Sequence, residues 1–212
     1  VLGDFSESTE PLIEKQLSQE VQPPQQISVE TFIQNGSPVL GKSDAPITLV
    51  EFGDYQCHFC NVFYHNTEHD ILEKYVMTGK VNVIFKDYTI IGQDSVNAAH
   101  AAHCAGEQGK FWQYHNTLYD NWSGENSGWA SQENLEKFAQ KIELEMNSFT
   151  ECNVEEKYMQ IISASNKDAQ TLGITGTPAF YIISMNSGQV QQIEGAQPYE
   201  VFEKVFDSML ET

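Results

Sequence analysis

The chain has 212 residues, 40% of them hydrophobic, and carries 30 acidic residues against 11 lysines and arginines, which gives a formal net charge of −19. Its length and apolar content suit one large domain, or one domain with an insertion. The acidic balance argues against charge-driven binding to nucleic acid or to anionic lipid, because both partners require clusters of basic residues.

The N-terminal segment, residues 1–26, is rich in Glu, Gln, Ser and Pro, a composition typical of a disordered, charged tether. Residues 27–46 contain turn signals and predict a short first strand whose bounds the pattern does not define. We therefore expect residues 1–36 to form an acidic, largely disordered tether and residues 37–212 to form the folded domain. Since the chain starts at Val1 rather than Met, we also expect an upstream signal or anchor that was cleaved or lies outside this sequence.

A strand, a turn and a pair of cysteines come next. The apolar, β-branched run Ile47–Phe52 predicts a buried strand that ends at Gly53, and Cys57 and Cys60 open a segment with helical spacing. This order is typical of a thiol–disulfide exchange site. A thiol in the first turn of a helix faces unpaired N–H groups and the positive end of the helix dipole, and both stabilise the thiolate. Cys60 lies within one turn of Cys57, so the pair can close and reopen a disulfide.

Glu51 is a carboxylate inside that apolar strand, between Val50 and Phe52. Burying a charge among such neighbours costs free energy unless the charge has a task. One interpretation places Glu51 on the outer side of an edge strand. The other makes it a buried proton acceptor for Cys60.

The middle of the chain predicts one more strand and then a helical block. The helix after Cys60 ends at Gly79, and Val81–Tyr88 predicts a second strand, which a right-handed crossover would place parallel to the first. The following residues show almost no strand pattern. They predict helices at 95–107, 111–122, 131–142 and 155–172.

The C-terminal part predicts a hairpin and a last helix. Pro178–Ser184 and 189–194 predict two strands joined by a turn at 186–188, and proline is tolerated at the first residue of a strand. An amphipathic pattern over 198–210 predicts the closing helix.

Four motifs carry a resemblance: Val-Glu-Phe-Gly-Asp-Tyr-Gln-Cys-His-Phe-Cys at 50–60, Ala-Gly-Glu-Gln-Gly-Lys-Phe-Trp at 105–112, Gly-Thr-Pro-Ala-Phe at 176–180 and Glu-Gly-Ala-Gln-Pro at 194–198. In combination they resemble the DsbA-like thiol–disulfide oxidoreductases of the thioredoxin superfamily, from about Ser37 to the C-terminus. The resemblance implies an α/β thioredoxin fold with an inserted all-helical subdomain.

In that arrangement the thioredoxin part would comprise residues 37–91 and 173–212, and the helical insertion residues 92–172. The resemblance also implies a cis peptide bond between Thr177 and Pro178, facing the redox cysteines. These two residues would hold the substrate chain by strand-like main-chain hydrogen bonds.

The dipeptide between the cysteines departs from the family. Oxidising members commonly carry Pro-His there, whereas this chain has His58 and Phe59. A partly protonated His58 at the start of the helix would stabilise the Cys57 thiolate. Phe59 carries no charge and would widen the hydrophobic contact for unfolded substrates.

Cys104 and Cys152 remain, 48 residues apart, the first on the first insertion helix and the second near the start of the last. They could be two buried free thiols or a bridge that closes the helical block on itself. Some members of the family carry a second disulfide in the helical domain.

The main hypothesis is an extracytoplasmic, monomeric thiol–disulfide oxidoreductase, without a cofactor, that introduces or exchanges disulfides in exported proteins through Cys57 and Cys60. A quinone-linked membrane reoxidant is implied by the family. A zinc half-site and a structural disulfide compete for the same cysteines, but a structural zinc site needs four ligands and no second Cys-x-x-Cys exists.

The rival function is binding or transfer of Cu(I) or Zn by the reduced cysteines together with His58. The helical histidine pairs, 65 with 69 and 100 with 103, lack a third ligand in the sequence, so no metal site is predicted there.

Overall fold

The computed structural model describes residues 27–211, so the tether predicted for residues 1–26 lies outside the described residues. Within these residues the strands are β1 (Ile47–Gly53), β2 (Val81–Asp87), β3 (Ala179–Ser184) and β4 (Val190–Glu194). They form one sheet in the order β2-β1-β3-β4. The β1–β2 pair is parallel, as predicted, and the other two pairs are antiparallel.

Strand β1 is central in this sheet, and all seven of its residues are buried. Because side chains alternate across a strand, Ile47 and Leu49 share one face with Glu51, and Val50 and Phe52 lie on the other. Ile47 and Leu49 pack in one apolar cluster, and Val50 and Phe52 in a second. Helices therefore cover both faces of the sheet at β1.

The first of these faces is covered by α2 and by the last helix, α8 (Tyr199–Leu210). Helix α2 spans residues 58–76 and alternates α-helical and π-helical turns. Gly79, at φ +76°, closes it, and its N–H donates to the carbonyl of Val76 at 2.9 Å. A glycine adopts this left-handed conformation without the steric cost of a Cβ. The successive turns of α2 are His58–Phe63, Tyr64–Glu68, His69–Ile71 and Leu72–Val76.

The helical block between β2 and β3 contains five helices among the described residues. They are α3 (Gln93–Gly106), α4 (Phe111–Asp120), α5 (Gln132–Lys141), α6 (Met146–Val154) and α7 (Met159–Thr171). The helix predicted for 155–172 forms as α7 but begins later, at Met159, and α6, which the pattern did not predict, precedes it. The chain turns between the two helices at Glu156, which has φ +50°. Cys152 consequently lies on α6, and not near the start of the last helix of the block.

Helix α7 packs against the sheet and not only against the inserted helices. Lys86 of β2 is fully buried, and its Nζ lies 2.6 Å from Asp168 Oδ2 of α7. Ala169 belongs to the apolar cluster on the second face of the sheet. Apolar burial and an ion pair thus hold α7 to the sheet, while Ile162 of the same helix packs in the apolar cluster of the inserted helices. Helix α7 therefore joins the two parts that the prediction divides after residue 172.

The N-terminal boundary also differs from the prediction. No strand forms between residues 27 and 46; instead α1 (Val29–Ile33) buries Phe32 against the second face of the sheet, and Leu40 makes an isolated bridge with Val83. Lys86 Nζ donates to the carbonyl of Thr31 at 2.8 Å. Residues 29–36, expected in the tether, are therefore held to the folded domain at α1.

A disulfide joins Cys104 of α3 to Cys152 of α6, with both sulfurs buried. It connects two helices of the insertion that already pack in one apolar cluster. None of the helices between residues 27 and 211 combines the length and the apolar character needed to cross a membrane.

Replacing both cysteines, Cys104→Ala with Cys152→Ala, should lower the free energy of unfolding by about 4 kcal/mol, the chain-entropy value for a loop closed over this separation. Urea unfolding under oxidising conditions measures the difference. As a control, reduction of the wild-type Cys104–Cys152 bridge should bring its midpoint close to that of the variant. Equal midpoints for the oxidised wild type and the variant would show that the bridge does not stabilise the fold.

Candidate active site

Cys57 and Cys60 lie where β1 turns into α2, and both are reduced in this structure. A tight turn positions them: the Cys57 N–H donates to the carbonyl of Asp54 at 2.9 Å, and the Cys57 carbonyl accepts from the Asn61 N–H at 3.1 Å. Cys57 is 6% exposed and Cys60 is fully buried. Both residues are thus buried, and of the two only Cys57 keeps contact with solvent.

The pKa of the Cys57 thiol is lowered to about 6. The largest cause is a hydrogen bond from Cys60, and the Thr177 side chain and the backbone N–H groups of Cys60 and Phe59 lower it further. Together these donors outweigh partial burial, which opposes ionisation. In its neutral form the thiol instead donates to the Thr177 carbonyl at 3.3 Å. A large fraction of Cys57 is consequently thiolate at neutral pH.

The pKa of Cys60 moves in the opposite direction and is raised well above that of a free thiol. Burial is the largest cause, and the hydrogen bond to Cys57 and the charges of Cys57 and Glu51 act in the same direction. One thiol of the pair is thus ionised and the other protonated at neutral pH, so a proton must move whenever Cys60 forms or leaves a disulfide.

The Thr177–Pro178 peptide bond is cis, as the resemblance implied. It lies beside Cys57 and borders a surface groove that runs along the start of β3 and the end of β4. Residues 174–179, Gln192, Glu194 and Gly195 line this groove. An extended chain that occupied it would lie within reach of the Cys57 sulfur.

Glu51 is 3% exposed, on the face of central strand β1 that α2 covers. An outward position on an edge strand is therefore wrong, because β2 and β3 pair with β1 on either side. Burial raises the pKa of the Glu51 carboxyl well above its ordinary value, and the nearby charges of Glu68 and Cys57 raise it further. Burial thus favours the protonated form of Glu51, and a charge on Cys57 favours it further.

Glu68 is the charged residue that sequence reasoning missed. It lies in the polar run His65–Asp70, which suggests a solvated helix face. In the structure this part of α2 is a π-helical turn, and Glu68 is only 5% exposed. Burial raises the pKa of its carboxyl. The one signal in the sequence is its spacing, three residues before the core residue Ile71.

The side chains of His58 and Phe59 are exposed at the mouth of the site, Phe59 by 60%. The His58 ring lies 5.3 Å from that of Phe59 and 5.6 Å from that of Trp122, whose indole N–H donates to the Gln56 carbonyl at 2.8 Å. Trp122, the last residue of the helix predicted for 111–122, lies beyond the end of α4 and borders the active site. The hydrogen bonds that lower the Cys57 pKa come from other groups than the His58 side chain.

His100 and His103 have structural surroundings. His103 Nε2 lies 2.7 Å from Asp87 Oδ2, and His100 contacts Asn153 at 3.2 Å. Between residues 27 and 211 no three His, Cys, Asp or Glu side chains group as a metal site. The described residues therefore provide no donor set for the metal-transfer alternative beyond the two thiols.

Comparison with known proteins places the chain among disulfide-forming proteins. A family model described as thioredoxin matches residues 34–207. The probable disulfide bond formation protein D of Bacillus cereus is 27% identical over 157 residues, which are 72% of this chain and 73% of that protein. Oxidised BdbD from Bacillus subtilis is similar in structure, with a TM-score of 0.74 and 26% identity over 83% of this chain and 94% of that one.

Wolbachia pipientis alpha-DsbA1 is a further structural relative, with a TM-score of 0.72 and 26% identity over 82% of this chain and 90% of its own. These matches confirm the predicted fold class, an α/β thioredoxin fold with a helical insertion, and the resemblance to DsbA. The metal-transfer alternative gains no support from them.

The acidity of the two thiols can be tested by alkylation of the reduced protein with limiting reagent. Labelling of Cys57 should reach half its maximum near pH 6, because hydrogen bonds stabilise its thiolate, while Cys60 stays unlabelled until far higher pH. Peptide mapping identifies the adduct. Cys60→Ala is the control variant. It removes the hydrogen bond that stabilises the Cys57 thiolate most, so the pH at which labelling of Cys57 is half-maximal should rise. Preferential labelling of Cys60 would contradict the assignment.

Proposed function

This chain belongs to the thioredoxin family and is a protein-disulfide oxidoreductase, and on that premise we propose that it works as an oxidase of cysteine-bearing exported proteins. The observation that carries the proposal is the opposed acidity of two adjacent thiols, a Cys57 with lowered pKa and a buried Cys60 with raised pKa. A stabilised Cys57 thiolate favours the reduced enzyme, which makes its disulfide form a stronger oxidant.

The reaction proceeds through two exchanges. A substrate thiolate attacks the Cys57 sulfur of the Cys57–Cys60 disulfide; a substrate–Cys57 bond forms, the Cys57–Cys60 bond breaks, and the electron pair leaves on Cys60. A second substrate thiolate then attacks the substrate sulfur of the mixed disulfide and expels the Cys57 thiolate. The substrate has lost two electrons and gained a disulfide, and the enzyme holds the reduced pair. The low pKa of Cys57 makes it a good leaving group in the second exchange.

Glu51 serves as the proton donor and acceptor of Cys60. Its raised pKa favours the protonated carboxyl, which can give a proton to the Cys60 thiolate as that thiolate leaves. During reoxidation the same carboxylate takes the proton back, and Cys60 can attack. Burial makes this help necessary, because the thiolate of Cys60 is strongly disfavoured in its apolar surroundings.

Substrate binding is assigned to the groove at Thr177 and Pro178 and to the exposed ring of Phe59. The groove borders the Cys57 sulfur, and a substrate strand there would use main-chain hydrogen bonds that tolerate many sequences. Phe59, with His58 beside it, provides apolar contact for unfolded chains. The Cys104–Cys152 bridge, distant in sequence from the redox pair, acts as a structural disulfide.

The protein would act outside the cytoplasm as a monomer, tethered through its N-terminal segment. A membrane partner linked to quinone would return it to the disulfide form by removing two electrons from Cys57 and Cys60. No cofactor enters either exchange, because the electrons pass directly between sulfur atoms.

Glu51→Gln should slow oxidation of a dithiol peptide by about 10² to 10⁴-fold, the usual contribution of a positioned acid or base, because glutamine keeps the shape but transfers no proton. The measurement is single-turnover oxidation of the peptide by the disulfide form, followed across pH. Glu200→Gln, at an exposed carboxylate on α8, is the matched control and should leave the rate unchanged. Superimposed pH profiles for wild type and Glu51→Gln would remove Glu51 from the mechanism.

The same variant has a consequence for stability. Because the pKa of Glu51 is raised in the folded protein, its favourable contribution is present below the unfolded carboxyl pKa and is lost as pH rises through the folded value. Glu51→Gln should therefore match or exceed the wild type in melting temperature at alkaline pH, while its activity is lower. A lower melting temperature at every pH would indicate a structural defect instead.

A further inference from the structure

Glu68 is a second buried carboxyl group next to the redox site, and the mechanism above does not use it. It is 5% exposed, yet none of the described residues forms a hydrogen bond or an ion pair with its side chain. Its charge acts directly on Glu51, across the interface between α2 and β1. Burial leaves little water to hydrate the charge of this carboxyl group, which is costly, so its position calls for an explanation.

A surface groove between α2 and α4 provides one. Glu68 lines this groove together with solvent-exposed side chains of both helices. The other lining residues are Tyr64, His65, His69, Leu72, Asn116 and Asp120. Glu68 thus borders an opening to the surface and is near enough to Glu51 for its charge to raise the pKa of that carboxyl.

This opening is separate from the substrate groove at Thr177 and Pro178, and the two share no lining residue. A polypeptide bound over Cys57 would close the active-site face to solvent. Glu51, only 3% exposed, would then have to exchange its proton by another route. The groove between α2 and α4 stays open in that state.

We propose that Glu68 passes protons between Glu51 and solvent through the groove between α2 and α4 whenever Cys60 leaves or re-enters the disulfide. The proposal rests on the oxidoreductase function above and deepens it. Glu68 touches neither sulfur and acts through Glu51, so it is a positioning residue and not a catalytic one.

The proton balance is simple. When Cys60 leaves the disulfide it takes the proton of Glu51, and Glu68 replaces that proton with one from the groove. When the pair is reoxidised, Cys60 returns its proton to Glu51, and Glu68 releases one to solvent. Electrons leave only by the sulfurs, and one proton enters or leaves by the groove for each exchange at Cys60.

Electrostatics fit this task. Two buried carboxylates that repel each other do not both ionise near neutral pH, so the pair retains a proton that it can share. Removing the charge of Glu68 should therefore lower the pKa of Glu51. The other titratable groups that face the pair or line its groove are Cys57, Cys60, Tyr55, Tyr64, Tyr119, His65, His69 and Asp120.

The test compares Glu68→Gln, Glu68→Asp and Glu73→Gln in the full chain. Glu73 lies further along α2, and its carboxylate side chain is 64% exposed, so Glu73→Gln is the matched control. The disulfide form is mixed with a dithiol peptide in a stopped-flow instrument, and formation of the reduced enzyme is followed by tryptophan fluorescence. Each rate constant is divided by the fraction of the peptide thiol that is ionised at that pH. The remaining pH dependence then reports proton delivery to Cys60.

Glu68→Gln should slow this step by about tenfold, less than loss of the proton donor itself. The corrected rate should also fall at a lower pH than in the wild type. Without the negative charge of Glu68, the pKa of Glu51 is lower and Glu51 loses its proton at a lower pH. Glu68→Asp keeps a carboxyl group and should restore most of the rate, and Glu73→Gln should match the wild type. If Glu68 had only a structural role, its replacement would not shift the pH at which the rate falls.

Superimposed profiles for Glu68→Gln and wild type would overturn the relay and leave the oxidoreductase intact. A slower Glu68→Gln with an unshifted inflection, or with no rescue by aspartate, would overturn it as well. If the wild type itself fails to oxidise the peptide, the proposed function fails first, and the relay fails with it.

Discussion

The constraint on which the site depends is the burial of Glu51 on central strand β1. Strand pairs on both sides and α2 above remove its carboxyl from water, which raises its pKa and favours its protonated form. Cys60, buried in the same region, cannot hold a charge without help, whereas Cys57 at the start of α2 can. The fold thus separates two functions: an accessible sulfur exchanges electrons, and a buried carboxyl group exchanges the accompanying proton.

Local pattern predicted the part of the fold that surrounds this site. From Ile47 onward, local sequence pattern is enough to predict the strand, the turn, the cysteine pair and the helix. Gly79 ends that helix as expected. The cost of a charge in an apolar strand singled out Glu51 but left an outward and a buried position open, and the pairing of β1 on both sides decides for the buried one. The cis bond before Pro178 came instead from resemblance, since propensity alone favours the trans form.

What the sequence did not reveal depends on long-range packing. Helix α1 is held in place because Phe32 is buried against the sheet and the carbonyl of Thr31 accepts a hydrogen bond from Lys86. Neither contact can be predicted from the residues next to it in the sequence. The break before α7 occurs at Glu156, a residue type that is common inside helices. Glu68 was hidden for a related reason: a π-helical turn buries a position that lies in a polar run.

The central claim is that Glu51 is a protonated acid whose proton moves with the redox state of Cys57 and Cys60. Infrared difference spectroscopy between the disulfide and reduced forms at neutral pH tests it most directly, because protonated and ionised carboxyl groups absorb at different frequencies. We expect a buried protonated-carboxyl band in the wild type that changes on reduction and is absent from Glu51→Gln. A wild-type spectrum without such a band, or a band that reduction leaves unchanged, would contradict the claim.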